Sequence, residues 1–88
     1  MEKADFIKRL VALRVSKGAS ARDMSLSLGQ SAGYINNIEN GVNYPSMTVF
    51  FYICDYLGIS PKEFFDTETL NPSKANELLS EAKGLSSE

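Results

Sequence analysis

SARDMSLSLGQSAGYINNIEN, residues 20–40, holds two helical patterns parted by one glycine. Ser20 followed three residues later by Asp23 has the spacing of a capping box, in which the serine oxygen and the carboxylate each take a backbone N–H left unpaired by the first turn. A helix is therefore expected from Ala21 onward, with Met24 and Leu28 on one face and Ser25 small enough for a second helix to pack close. Gly29 can adopt the left-handed backbone that ends such a helix at little cost. Gln30-Ser31 offers a second start with Ser31 as cap, and Ile35 and Ile38 supply the buried stripe of a helix over about 32–40.

Outward from this pair the chain reads as more short helices. Before it, residues 1–17 place Phe6, Leu10, Leu13 and the stem of Lys17 on one face, and Gly18 stops the pattern. After it, residues 41–44 form a loop, and Pro45 with Ser46 opens a helix on which Met47, Phe50, Ile53, Cys54 and Leu57 share the core face. Phe51, Tyr52 and Tyr56 fall beside or opposite that face, which is more aromatic surface than a lone helix exposes by preference and calls for a covering element or partner. Gly58 ends this helix, and Ser60-Pro61-Lys62-Glu63 is a capping box opening a fifth that buries Phe64 or Phe65.

Beyond Asp66, Asn71-Pro72 and the narrow stripe Ala75, Leu78, Leu79 and Ala82 predict a sixth short helix over about 72–83. Such a helix is marginal alone. It can dock on its own domain, pair with a second subunit or stay frayed. The aromatics Phe51, Tyr52 and Tyr56 are its expected resting place, and a homodimer built from these residues with Leu78 and Leu79 is the favoured outcome. Residues 85–88 are expected to be disordered. The organisation expected is a domain over 1–66 and a tail over 67–88.

A small residue at Ser25, glycine four positions on and branched apolar residues at Ile35 and Ile38 make the spacing of a helix-turn-helix. Together with the leading FIKRLVALR, the YINNIENG run, Tyr44-Pro45-Ser46 and the closing LGISPKEFF, it resembles the Cro-like, phage-repressor-like family of bacterial regulators, also called the xenobiotic-response-element (XRE) family. The resemblance covers about Phe6 to Phe65. It implies an all-α, five-helix lambda-repressor-like domain that binds double-stranded DNA, plus the short sixth helix of the tail. Arg14 lies beside the apolar stripe of the first helix and needs a partner, for which Glu39 is the candidate; the family often ties its first and third helices with such a pair. Two independently solvated charges are the alternative.

Composition narrows the function further. One cysteine, Cys54, excludes an internal disulfide framework and fits a reducing cytoplasm. Lys3, Asp5, Lys8 and Arg9 interrupt the opening segment, and no run of about 20 apolar residues spans a bilayer, so neither a secretory leader nor a membrane anchor is expected. With no histidine, no glycine-rich phosphate loop and no nucleophile elbow, the sequence argues against an enzyme and predicts neither metal nor cofactor. Net charge is −2, unevenly spread: six basic and five acidic residues up to position 59, then three and six from position 60.

With Ile35 and Ile38 turned inward, the outer side of the third helix carries Gly33, Asn36, Asn37 and Asn40, with Ala32 at its margin. Asparagine offers both a donor and an acceptor to adenine in the major groove, so Asn36 and Asn37 are the candidates for base readout, with Ala32 against a thymine methyl. A solvated polar face is the bland alternative. Gly33 weakens a helix interior by about 1 kcal/mol, which close approach of the backbone to a base pair would explain and simple tolerance would equally allow. Arg22, Ser31, Tyr34, Asn40, Asn43 and Tyr44 are placed for phosphate contacts, although Tyr34 is as readily half-packed beneath the first helix.

Where relatives often carry glutamine this chain has Ala21, and where they are often basic it has Ala32, Asn37 and Asn40. Few counterions are then released on binding, from Arg22 and from Lys8, Arg9 or Lys17, so the salt dependence should be shallow. A homodimer on a palindromic operator, with its reading helices about one DNA turn apart, would supply the affinity. The reading is a transcriptional regulator of repressor type acting in the cytoplasm, at the nucleoid. Its alternative is a protein-interaction module on the same scaffold, antirepressor-like or antitoxin-like.

Overall fold

Helix boundaries in this chain fall where a side chain or a glycine answers unpaired backbone groups. The computed structural model describes residues 1–66, which form five helices: α1 Lys3–Lys17, α2 Ala21–Ser27, α3 Tyr34–Glu39, α4 Met47–Leu57 and α5 Pro61–Phe64. No strand occurs among the described residues. The predicted tail helix, with Leu78 and Leu79, and the predicted disorder over 85–88 lie outside them.

Asp5 Oδ2 accepts the Glu2 N–H at 2.9 Å, the carboxylate half of a capping box, and α1 begins at Lys3 rather than Met1. Ser20 Oγ accepts the Asp23 N–H at 3.0 Å, the serine half of its predicted box. Ser60 and Glu63 make both halves, at 3.1 and 2.8 Å, which lets the four-residue α5 form at all.

Gly29 and Gly41 carry φ of 75° and 79° where α2 and α3 stop. At each, the glycine N–H and the next residue's N–H turn back onto carbonyls of the last helical turn: Gly29 to Leu26 and Gln30 to Ser25, Gly41 to Ile38 and Val42 to Asn37. This pairing satisfies the orphan carbonyls and reverses the chain tightly.

Helix α3 is shorter than the sequence predicts. Ser31 does not cap it: residues 31–33 form a turn in which the Ser31 carbonyl accepts the Tyr34 N–H at 3.1 Å, and Gly33 is the capping residue. Gly33 therefore stands at the helix start, not in its interior, and the interior penalty does not apply. A Cβ added there meets no atom within 4 Å.

One core joins all five helices. Phe6, Leu10 and Leu13 of α1 pack with Met24, Ile35 and Ile38 of the central pair, and with Phe50, Ile53, Cys54 and Phe64. Met47 does not share the core face as predicted. It is 65% exposed, because it occupies the first position of α4 and the covered stripe begins a turn later at Phe50. Phe64 is fully buried and Phe65 is 47% exposed, which resolves the alternative left by the sequence.

The end of α5 is held from a distance. Arg9, only 5% exposed, donates from Nε to the Phe64 carbonyl and from Nη2 to the Glu63 carbonyl, both at 2.6 Å. The guanidinium thus takes the Phe64 carbonyl at the end of a short helix and shares the Glu63 carbonyl with the Asp66 N–H. Burial pulls the Arg9 pKa down and the nearby Asp66 charge pushes it back up, so desolvation is the larger influence. The prediction that Arg9 releases counterions to a nucleic acid is accordingly corrected: its charge is committed to the interior.

Candidate nucleic-acid interface

The geometry of α2 against α3 is set by a buried hydrogen bond. Ser25 is fully buried, its hydroxyl donates to the Ala21 carbonyl at 2.7 Å, and it accepts the Ile35 N–H at 2.9 Å. Ile35 is in the first turn of α3, where backbone N–H groups have no partner inside the helix. The serine hydroxyl supplies one. Small size at this position was legible in the sequence; the bond was not, because nothing in residue spacing aims a side chain at an amide ten positions away.

The far end of α3 is tied to α1. Arg14 donates to both carboxylate oxygens of Glu39, Nε at 2.7 Å and Nη2 at 3.0 Å, and its Nη1 donates to the Ala19 carbonyl at 2.9 Å. The side chains are 16% and 11% exposed. The bond to Glu39 raises the Arg14 pKa, partly opposed by desolvation. A bidentate fork of this kind fixes orientation as well as distance.

Held at both ends, α3 turns Ile35 and Ile38 fully inside and leaves Asn36, Asn37 and Asn40 exposed. The three side-chain amides make no hydrogen bond within the described residues. Ahead of them Ser31 and Gly33 are exposed and Ala32 is half-buried. Tyr34 is half-buried against the core, and desolvation pushes its phenol pKa up, so the hydroxyl stays a donor.

Around this face the other named residues are spread over the start of α2 and the loop after α3. Arg22 is exposed in the first turn of α2. Asn43 and Tyr44 are exposed in the loop, where Asn43 Nδ2 donates to the Tyr44 carbonyl at 3.4 Å. The sequence gives no hint of one further residue here: Lys3 donates from Nζ to the Gly41 carbonyl at 2.8 Å and lies 5.2 Å from the centre of the Tyr44 ring. A cation from the start of α1 is thereby set beside the α3–α4 loop, joined by a contact across 38 positions that no local pattern reveals.

The aromatic surface divides in two. Phe51, 48% exposed, belongs with Phe50, whose ring centre is 6.1 Å away. Tyr52 and Tyr56 lie one turn apart near Gly29 and Asp55. Tyr56 is half-buried, with Lys17 Nζ 5.0 Å from its ring centre. The proposed docking surface is thus two patches, and its Leu78 and Leu79 lie outside the described residues. Among the described residues no helix is long and apolar enough to cross a membrane.

The family model of a helix-turn-helix domain matches residues 7–70. No curated protein and no solved structure matches the chain.

Proposed function

The chain belongs to the helix-turn-helix domain family, and on that premise we propose that it is a sequence-specific DNA-binding transcriptional regulator, a repressor of the Cro-like XRE type. Residues 1–66 form the DNA-binding domain in the five-helix lambda-repressor-like arrangement; the tail over 67–88 and the sixth helix expected in it lie outside the described residues. The observation that carries the reading is the amide face of α3: three exposed asparagines with no side-chain partner among the described residues, on a helix anchored at one end by Ser25 and at the other by Arg14. Amides free of internal bonds and rigidly presented suit recognition of base edges, since little side-chain pairing is broken on binding.

Asn36 and Asn37 read bases in the major groove, with Ala32 and Gly33 close to them. Arg22, Ser31, Tyr34, Asn40, Asn43 and Tyr44 contact phosphates, and Lys3 adds a cation to the loop side. With so few cations the salt dependence of binding is shallow. A homodimer on a palindromic operator then supplies affinity by engaging two half-sites, and the protein works in the cytoplasm, at the nucleoid.

The test is duplex binding, with bound fragments selected from the host genome, at two salt concentrations. Arg22→Ala should weaken binding to every sequence by a similar factor and flatten the salt slope. Asn36→Ala or Asn37→Ala should cost about 1–3 kcal/mol on the preferred site and little on others. Equal losses from all three variants on all sequences contradict the assignment of roles. Failure to bind any duplex at low salt, with the fold intact, favours the protein-interaction module, for which the exposed aromatic surface is the supporting observation.

A further inference from the structure

An apolar groove lies between the start of α1, the start of α4 and the end of α5. Phe6, Tyr44, Met47, Phe50 and Phe65 line it with Met1 around a space of about 350 Å³. Four of its walls are open to solvent, Met47 at 65%, Met1 at 61%, Tyr44 at 54% and Phe65 at 47%. The floor is well packed: Phe50 lies 5.4 Å from the Phe65 ring centre and 6.2 Å from that of Phe6. A firm floor with large, half-exposed apolar walls is a surface suited to an occupant.

The length of chain beyond the groove points to a candidate. Its described part ends at Asp66, whose N–H donates to the Glu63 carbonyl at 3.2 Å, one residue after the groove wall Phe65. The sequence then runs on through residues 67–88. A fully extended 67–71 reaches at most ~17 Å, and Leu78 lies ~9 Å along a helix begun at Pro72. The chain beyond Asp66 is therefore long enough for Leu78 and Leu79 to reach back over Phe65. We propose that this groove is the docking site of the chain's own segment 72–83, which lays Ala75, Leu78, Leu79 and Ala82 against Met47, Phe50 and Phe65. Attachment through so short a linker gives the segment an effective concentration on the order of millimolar, which favours it over the same segment of a second copy. The site is distinct from the Phe51, Tyr52 and Tyr56 surface expected from the sequence, and it does not depend on the DNA-binding reading.

Thermal unfolding of the full chain tests this. Leu78→Asp combined with Leu79→Asp should lower the melting midpoint by roughly 5–10 °C. Met47→Ser should lower it in the natural background and leave it unchanged once the two leucines are replaced, because the contact is already lost. The positions are exposed or in the tail, so the domain folds in every variant. Additive effects of the groove and tail substitutions overturn the proposal. Coupling that appears only as protein concentration is raised a hundredfold also overturns it, since the occupant is then a second copy; coupling independent of concentration upholds it.

Discussion

Replacing Ser25 with alanine removes the hydroxyl that joins the two central helices and leaves the Ile35 N–H without its acceptor. Ile35 is fully buried, so water cannot take the place of the serine. An unsatisfied buried donor costs about 1–3 kcal/mol. The bond to the Ala21 carbonyl adds less, because that carbonyl also serves the backbone ladder of α2. Alanine returns about half a kcal/mol through its higher helix propensity. The net loss expected is about 1–2 kcal/mol, which for a domain of this size lowers the melting midpoint by roughly 5–15 °C. Ser27→Ala is the matched control, the same substitution at an exposed position of α2. Circular dichroism melts report the stability difference, and amide hydrogen exchange reports the Ile35 N–H itself. A Ser25→Ala midpoint within about 2 °C of the control, with Ile35 protection unchanged, refutes the claim that this bond sets the helix pair.

Glu39→Ala strands a guanidinium that is mostly out of solvent. Its cost should lie between that of a surface pair and that of a buried one, about 2 kcal/mol, against less than about 0.5 for Lys8→Ala at an exposed site of α1. Equal melting shifts for the two variants rule the tie out. Arg9→Lys keeps a charge but loses the fork that spans two carbonyls, so exchange protection of Phe65 and Asp66 should fall while that of α3 is kept; unchanged protection at α5 tells against the clasp. Cys54 is 1% exposed, and burial, helped by the Asp55 charge, pushes its thiol pKa from 9.0 to about 11. The folded value lies above the unfolded one, so the stabilisation is complete below pH 9 and is lost as pH rises toward about 11. Alkaline denaturation of Cys54→Ala should lack this component, and identical profiles for the two proteins would exclude it.

What the sequence reveals and what it hides follow the range of the interactions. Capping boxes and glycine stops act within a single turn, so Ser20, Gly29 and Ser60-Glu63 mark their helix ends in the bare sequence. Apolar spacing likewise places Ile35 and Ile38 inside and the asparagines outside. The start of α3 is misplaced because Ser31 has the chemistry of a cap, while the turn after Gly29 needs two more residues before the helix can begin. Met47 is misplaced because helical phase says which side of a helix is covered and nothing of whether a neighbour extends as far as its first residue. Arg9, Lys3 and Ser25 have no local signal: each bonds a backbone group of a distant element. The Arg14–Glu39 pair was legible because two opposite charges sat beside two apolar stripes and because the family resemblance implies such a tie.

The grip of Arg9 on α5 links positions 55 residues apart in the chain. During synthesis, the first helix waits for its last neighbour: until Phe64 has been made, the guanidinium destined for the interior remains in water, and the ring of Phe6 lacks the Phe64 ring that comes to lie 5.2 Å away. Closure of the domain thus waits on Phe64, and a chain cut short before this point would carry a cation lodged beside an open apolar seam.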